Sequence, residues 1–224
     1  MGKLLESLLG WRHELRERLL RAETLEHADL IFVLGGQRNR KVYGARLFRE
    51  RWAPQILMST GDPPYIARVI QKELEYKDLG DPHVWTRIHE TASLPSPKEG
   101  QFFIGLDRHQ WLIEPIRVKW FGTLSEIKAL AQWLQQRPLI HTLLVVSAGM
   151  HLRRVSMCCR QLLPHHCKVR LIAVPEGMRE LYAKGEQPRL ETGRRILLEW
   201  AKLISYYFVL GFLLGGKTPK EYRQ

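Results

Sequence analysis

The residues best suited to chemistry follow an apolar run near the start of the chain. Residues 30–34 (LIFVL) predict a strand buried on both faces, and Gly35 and Gly36 follow it. Glycines let the backbone turn tightly and approach a ligand, and a helix after them aims free N–H groups at that spot. Residues 37–41 (QRNRK) add donors and three positive charges, among them Arg38 and Arg40. The pattern predicts an anion site; the alternative is a sharp turn beside a solvated basic loop.

A second group of polar residues follows a later apolar run. Residues 142–146 (TLLVV) predict another buried strand, which leads into Ser147 and then into a helix carrying His151 and Arg154. An imidazole titrates near neutral pH, and an arginine binds phosphate oxygens by charge-assisted hydrogen bonds. His151 is therefore a candidate acid or base on a phosphorylated ligand. The alternative is that it caps the helix or satisfies backbone carbonyls.

The clearest helix in the sequence covers residues 123–135 (TLSEIKALAQWLQ). Thr123 followed three positions later by Glu126 is the spacing of a capping box, in which each side chain bonds to the backbone at the other's position. Because this helix also begins near the predicted site, Glu126 is a candidate catalytic residue. The alternative is that Glu126 serves only in the capping box.

Apolar runs alternate with helical patterns along the whole chain. This alternation predicts a Rossmann-like, doubly wound α/β fold: a mostly parallel sheet of about five strands, helices on both faces and a small hairpin-like insertion. Residues 30–34, 56–59, 142–146 and 169–174 are expected to be neighbouring parallel strands. Ligands of such sheets bind beyond the carboxyl ends of the strands, so the candidate residues should meet at one edge.

Three regions are expected along the chain. Residues 1–28 form an amphipathic helix, residues 29–192 the α/β domain with the insertion near residues 91–115, and residues 193–224 an apolar helix and tail. Glu199 and Lys202 interrupt that last helix, which favours a buried helix over a membrane span. We expect a cytoplasmic protein; peripheral contact with an anionic membrane at the inner face of the plasma membrane is the alternative.

Charge and cysteine content narrow the partners. The chain has 35 Lys and Arg against 23 Asp and Glu, a formal net charge of +12, which favours anionic partners. Nucleic acid is not expected, because zinc-finger spacing, an aromatic RNA-binding signature and a dense basic arm are all missing from the sequence. The cysteines lie close together without a CxxC pair, which predicts reduced, buried thiols and no metal site. The predicted partner is an anionic small molecule.

Four short segments in a fixed order also bear on the family. They are DLIFVLGG followed by Arg40, a strand ending in Ser59-Thr60-Gly61, a helix start at Thr123, and a Ser-x-x-x-His-x-x-Arg segment that ends at Arg154. This order resembles the YdcF-like domain family, which includes SanA and ElyC, over roughly residues 29–174. The chain departs from the family pattern at Thr60, Gly122 and Glu126. The resemblance implies ligand-binding or catalytic roles for Gly35, Gly36, Arg40, Ser59, Gly61, Thr123, Ser147, His151 and Arg154.

The resemblance implies a role in the bacterial cell envelope, in peptidoglycan-precursor or lipid-carrier metabolism, and one branch of the family is reported to bind S-adenosylmethionine. Three classes of function follow. The first is a protein that binds or transforms an anionic, phosphorylated precursor. The second binds S-adenosylmethionine or a nucleotide, with Asp62 holding the ribose hydroxyls unless it is a plain turn residue. The third is a non-catalytic scaffold near the membrane; the sequence leaves turnover open.

Overall fold

The computed structural model describes residues 22–36, 38–60, 101–106, 110–115, 122–175 and 193–213. Within these ranges the chain forms six strands, four α-helices and one 3-10 turn. In chain order they are β1 (Leu30–Val33), α1 (Arg38–Arg49), β2 (Gln55–Thr60), β3 (Gln101–Leu106), β4 (Gln110–Pro115), α2 (Thr123–Gln135), β5 (Thr142–Ser147), the 3-10 turn Gly149–His151, α3 (Leu152–Leu162), β6 (Lys168–Ala173) and α4 (Gly193–Leu213).

The six strands form one mixed sheet with the order β4-β3-β2-β1-β5-β6. β1 pairs in parallel with β2 and β5, and β5 pairs in parallel with β6. The four strands expected to be parallel neighbours are therefore parallel neighbours, and this prediction is confirmed. β3 and β4 pair antiparallel, as a hairpin does, but β3 also pairs with β2 and extends the sheet. The described sheet thus has six strands, where about five and a hairpin-like insertion were expected.

The alternation of side chains along β1 divides the core between the two faces of the sheet. Leu30 and Phe32 pack in a cluster with the apolar residues of α2 and α3. Ile31 and Val33 belong to a second cluster, which holds the apolar residues of α1. Since successive side chains of a strand point to opposite faces, helices cover both faces of this strand. β1 is fully buried, as its apolar run predicts.

Close contact between α1 and β1 depends on a glycine. A Cβ built on Gly44 would lie 2.3 Å from Cγ2 of Val33, a separation at which carbon atoms overlap. The helix therefore approaches the strand more closely than any side chain at this position would permit. This approach sets where the first turn of α1 stands relative to the carboxyl end of β1.

Several predictions fall wholly or partly outside the described residues. These are the N-terminal helix as far as residue 21, Gly61 and Asp62, the first part of the insertion, and the C-terminal tail from residue 214. Residues 22–28 are described and are not helical, so the helix expected over residues 1–28 does not extend through them. Among the described helices, none is both long and apolar enough to cross a bilayer.

The three cysteines are free thiols buried in the protein, as their spacing predicts. Cys158 and Cys159 pack in the core between α3 and the sheet. Burial raises the pKa of Cys158 to about 12, although the nearby Arg154 charge opposes the shift. A thiol with such a pKa stays protonated near neutral pH and is a poor nucleophile, so these cysteines are core residues.

Candidate functional site

The carboxyl ends of β1, β2 and β5 lie side by side because these strands are parallel neighbours. The backbone N–H of Leu34 donates to the carbonyl of Val146 at 3.3 Å, which holds the glycine turn against the end of β5. The chain leaves β1 for β2 on one side, while β5 lies on the other. Open α/β sheets bind their ligands at such a point, where the strand order reverses.

Arg40 folds back over the glycine turn. Its Nη1 donates to the carbonyl of Gly35 at 2.6 Å. Gly36 has a φ of 102°, in the region that favours glycine, and a Cβ there would lie 3.2 Å from the same Nη1. Gly35 therefore accepts a hydrogen bond from the guanidinium, and Gly36 leaves room for it. Arg38, the first residue of α1, is exposed beside the same turn.

Glu126 closes the turn from the opposite side. Its Oε1 accepts hydrogen bonds from the backbone N–H of Gly35 at 2.7 Å and from the Ser59 hydroxyl at 2.5 Å. The side chain is buried, with an exposed fraction of 4% for the residue. One carboxylate oxygen therefore joins the ends of β1 and β2 to the first turn of α2.

The capping box predicted for Thr123 and Glu126 is wrong. The N-cap is Gly122, which has no side chain to cap the helix, and Thr123 is the first helical residue. From inside the helix, the Thr123 side chain cannot serve as an N-cap. Glu126 instead bonds to two donors at the strand ends, where the glycine turn presents an N–H that no strand pairs.

Lys41 is a buried cation at the same edge, with an exposed fraction of only 2%. Its Nζ donates to the carbonyls of Val33 at 3.3 Å and Leu34 at 3.0 Å, and also to the carbonyl of Ser59. Burial lowers the pKa of Lys41 to about 7; the Glu126 carboxylate opposes this shift and the Arg40 charge adds to it. The three carbonyls match the three N–H donors of an ammonium group, so Lys41 ties the ends of β1 and β2 together.

The sequence pattern places Lys41 with the charges beside the glycines and does not predict its burial. The helical spacing nevertheless indicates that this lysine is buried. Lys41 stands three, four and seven positions before Gly44, Ala45 and Phe48, all of which are buried. That spacing places the lysine on the apolar face of α1.

His151 and Arg154 meet at Glu199 of α4. His151 Nδ1 lies 2.9 Å from Oε2 of Glu199, and Arg154 Nη1 donates to the same oxygen at 2.6 Å. Lys202 donates to the other carboxylate oxygen at 2.9 Å. Burial by itself would raise the pKa of Glu199, but the hydrogen bond from His151 and the neighbouring cations outweigh burial and lower the pKa to about 2. The sequence pattern treats Glu199 only as an interruption of an apolar helix.

The imidazole of His151 lies among charges of both signs. Burial lowers the pKa of His151 below its ordinary value; the hydrogen bond with Glu199 opposes the shift, while the charges of Arg40 and Arg154 add to it. At neutral pH the ring is therefore mainly unprotonated and can accept a proton. Because Arg40 acts on this ring, the glycine turn and the start of α3 lie within electrostatic reach of each other.

Thr123 joins this group through Arg154, whose Nε donates to the Thr123 hydroxyl at 3.3 Å. Arg154 is thus anchored to α2 and α4 at once. The structure brings predicted residues together in two groups, each joined by hydrogen bonds. The first group is Gly35, Arg40, Ser59 and Glu126. The second is Thr123, His151 and Arg154, with Glu199.

Two buried side-chain oxygens at this edge lack a hydrogen-bond partner within the described part of the chain. They are Oγ of Ser147, in a fully buried residue, and Oδ1 of Asn39, whose residue is 7% exposed. A buried polar atom left without a partner costs about 1–3 kcal/mol. A bound ligand that bonds to these oxygens would recover part of that energy. The Ser147 hydroxyl has no bond to the imidazole, so it is not an activated nucleophile in this structure.

Comparisons of the chain with protein-family models, with curated proteins and with solved structures return no match.

Proposed function

We propose that this protein binds an anionic, phosphate-bearing small molecule at the carboxyl edge of its sheet, on a Rossmann-like, doubly wound scaffold. The observation that carries the proposal is that the fixed charges of Arg40 and Arg154 both act on one part-buried imidazole, His151, beside a glycine turn. Among the described residues around this ring, the cations of Arg40, Arg154 and Lys202 outnumber the one carboxylate of Glu199, and a surplus of positive charge attracts anions.

The neighbouring groups suit the oxygens of a phosphate. The first turn of α1 directs N–H groups and the positive end of its dipole towards the glycine turn. Arg38 stands exposed at that helix start, where its guanidinium can bond to an entering ligand. Ser147 adds a buried hydroxyl without a hydrogen-bond partner in the described chain. Such a hydroxyl donates readily to a phosphate oxygen.

His151 supplies the chemistry in this proposal. An unprotonated imidazole near neutral pH can take a proton from a ligand hydroxyl, and the carboxylate of Glu199 stabilises the imidazolium that forms. The proposed place of this ligand in peptidoglycan-precursor or lipid-carrier metabolism, on the cytoplasmic side of the plasma membrane, rests on the resemblance to the YdcF-like family alone.

Titrations with pyrophosphate, a nucleotide sugar and S-adenosylmethionine test the proposal, read by calorimetry and by thermal unfolding. A ligand present at 100 times its Kd stabilises the folded state by about 2.7 kcal/mol. Stabilisation by the two phosphate compounds is the expected result. Stabilisation by S-adenosylmethionine alone would favour the second class of function, and stabilisation by none of them the scaffold; either outcome overturns the proposal.

Two arginines of the same helix provide a matched pair of variants. Arg38 and Arg49 are both exposed, at opposite ends of α1. Arg38→Ala is expected to weaken pyrophosphate binding by about 1.5–3 kcal/mol, the range for hydrogen bonds to charged groups. Arg49→Ala should leave affinity unchanged, and each variant should keep the stability of wild type within about 0.5 kcal/mol. Equal affinities for the two variants would contradict the proposed site.

Arg154→Ala tests the other half of the site. It should weaken pyrophosphate binding by a similar amount, about 1.5–3 kcal/mol. A charge exposed in a crevice could be removed with little loss of stability. Because the Arg154 guanidinium is nearly buried and bonds to Glu199, the variant should also unfold at a lower temperature. For this reason the exposed Arg38 gives the cleaner comparison.

A further inference from the structure

We propose that Glu199 is a positioning residue for His151: its carboxylate holds the imidazole in the tautomer with the proton on Nδ1, so that Nε2 is the nitrogen that exchanges protons with the ligand. The inference deepens the proposed function and rests on the acid or base role of His151. It also makes α4, on the far side of the sequence from the glycine turn, a part of the site.

The distances around Nδ1 decide the tautomer. Nδ1 lies 2.9 Å from Oε2 of Glu199 and 3.4 Å from Nη2 of Arg154. A guanidinium has donors only, and an ionised carboxylate has acceptors only. If Nδ1 carried a lone pair, that pair would face the carboxylate oxygen at the shorter of the two distances with no hydrogen between them. With the proton on Nδ1, the shorter contact is a hydrogen bond to a charged acceptor and the longer one is a plain approach.

The carboxylate that holds the ring is itself held. Arg154 donates to Oε2, the oxygen that faces His151, and the Glu199 side chain has an exposed fraction of only 7%. Burial of this kind fixes the orientation of a carboxylate and limits competition from water. Enzymes use the same arrangement, in which a carboxylate bonds to a histidine base and so fixes its tautomer.

The proton transfers balance within the site. Nε2 accepts one proton from an O–H group of the ligand, which leaves an oxyanion and an imidazolium, and the same proton returns to oxygen in the reverse step. Glu199 stabilises the imidazolium, whereas the charges of Arg40 on α1 and Arg154 on α3 favour its return to the neutral form. No described residue forms a hydrogen bond to Nε2, so this nitrogen is available to a ligand.

Long-range 1H–15N correlation spectra of the full chain, labelled with 15N-histidine, test the tautomer near neutral pH without any ligand. His151→Gln assigns the signals by their loss. The expected result is that His151 carries its proton on Nδ1; a dominant Nε2–H tautomer in wild type would overturn the inference. No ligand takes part in this measurement. A failed pyrophosphate titration would therefore reject the proposed function without changing the result for the tautomer.

Glu199→Leu and Lys202→Met form the variant and its control. Leucine has no acceptor for Nδ1–H, and it leaves the Arg154 guanidinium, which has donors only, 3.4 Å from Nδ1. The dominant tautomer of Glu199→Leu should therefore change to Nε2–H. Among the described residues, Lys202 bonds to the other carboxylate oxygen of Glu199 and is half exposed, so Lys202→Met should keep the wild-type tautomer. An unchanged tautomer in folded Glu199→Leu overturns the inference, as does a changed one in Lys202→Met. If Glu199→Leu fails to fold by circular dichroism, the wild-type and Lys202→Met spectra still decide.

Discussion

Substitution of Gly44 probes how the packing of α1 on β1 positions the site. In Gly44→Ala the new Cβ would stand 2.3 Å from Cγ2 of Val33, with Cβ and Cγ1 of the same valine at 3.5 Å. Ordinary contact between carbon atoms needs roughly 3.5–4.0 Å. Because Val33 is fully buried, it has little room to give way, and the start of α1 must move away from the strand.

Two opposing terms set the size of the effect. Overpacking a well-packed core costs about 1–3 kcal/mol, whereas alanine in place of glycine inside a helix gains about 0.5–1 kcal/mol. The overlap is severe, so the packing cost should dominate, with a net loss of about 1–2 kcal/mol and a fall in melting temperature of roughly 2–8 °C for a chain of this size. Pyrophosphate binding should weaken as well, since α1 carries Arg38 and Arg40.

Gly211 provides the matched control. It is also helical, but a Cβ there meets no atom of the described residues within 4 Å. Gly211→Ala should therefore show the helix gain alone, about 0.5–1 kcal/mol, and raise the melting temperature. Thermal and urea unfolding of both variants measure the difference. If Gly44→Ala were as stable as Gly211→Ala, the close approach of α1 to β1 would be refuted.

A second substitution, at Val33, tests whether Gly44→Ala loses stability through steric overlap with this valine. Val33→Ala removes the methyl groups that the new Cβ would meet, so in the Gly44→Ala background it should cost less stability than it does alone. The expected coupling lies within about 0.5–3 kcal/mol, the range for residues in contact. Simple additivity would show that the two residues do not touch in the way described.

Two further predictions concern buried polar groups. Since the pKa of Lys41 falls from 10.5 to about 7 on folding, the unfolded chain binds more protons between these values and stability should rise with pH across that window. In urea unfolding at several pH values, Lys41→Met should lose this rise and Lys128→Met, at an exposed position of α2, should keep it; equal slopes would refute the burial of an ionisable Lys41. Ser147→Ala removes a buried hydroxyl that has no partner in the described chain, so it should leave stability unchanged or raise it by up to about 1 kcal/mol while weakening pyrophosphate binding. A large loss of stability on thermal unfolding would show instead that the hydroxyl supports the fold.

The parallel core of the sheet could be predicted because its strands carry the signal themselves. Residues 30–34 and 142–146 are apolar without alternation, which is the mark of a strand covered on both faces. Once these strands are parallel neighbours, the residues that follow them must meet at one edge. The approach of the glycine turn to Ser147 follows from that rule alone.

The carboxylates of the site could not be assigned in the same way. Glu126 has the spacing of a capping box, and only the tertiary fold shows that its partners are Gly35 and Ser59, which are 91 and 67 positions away. Glu199 sits in an apolar helix, where a charge usually signals an exposed face. Its partners His151 and Arg154 come from other elements, and a local pattern carries no information about them.

The same carboxylates explain how the cations of the proposed site can be held without a ligand. Buried charges are tolerated when they are paired and hydrogen-bonded. Here Glu126 lies near Lys41, and Glu199 bonds to Arg154. Arg40 is anchored on the Gly35 carbonyl. The guanidinium groups are therefore fixed in place before any ligand arrives, so binding need not order them and loses less side-chain entropy. The proposed roles then divide: Arg40 supplies the field, while Arg38, Arg154, Ser147 and the Nε2 of His151 bond to the ligand.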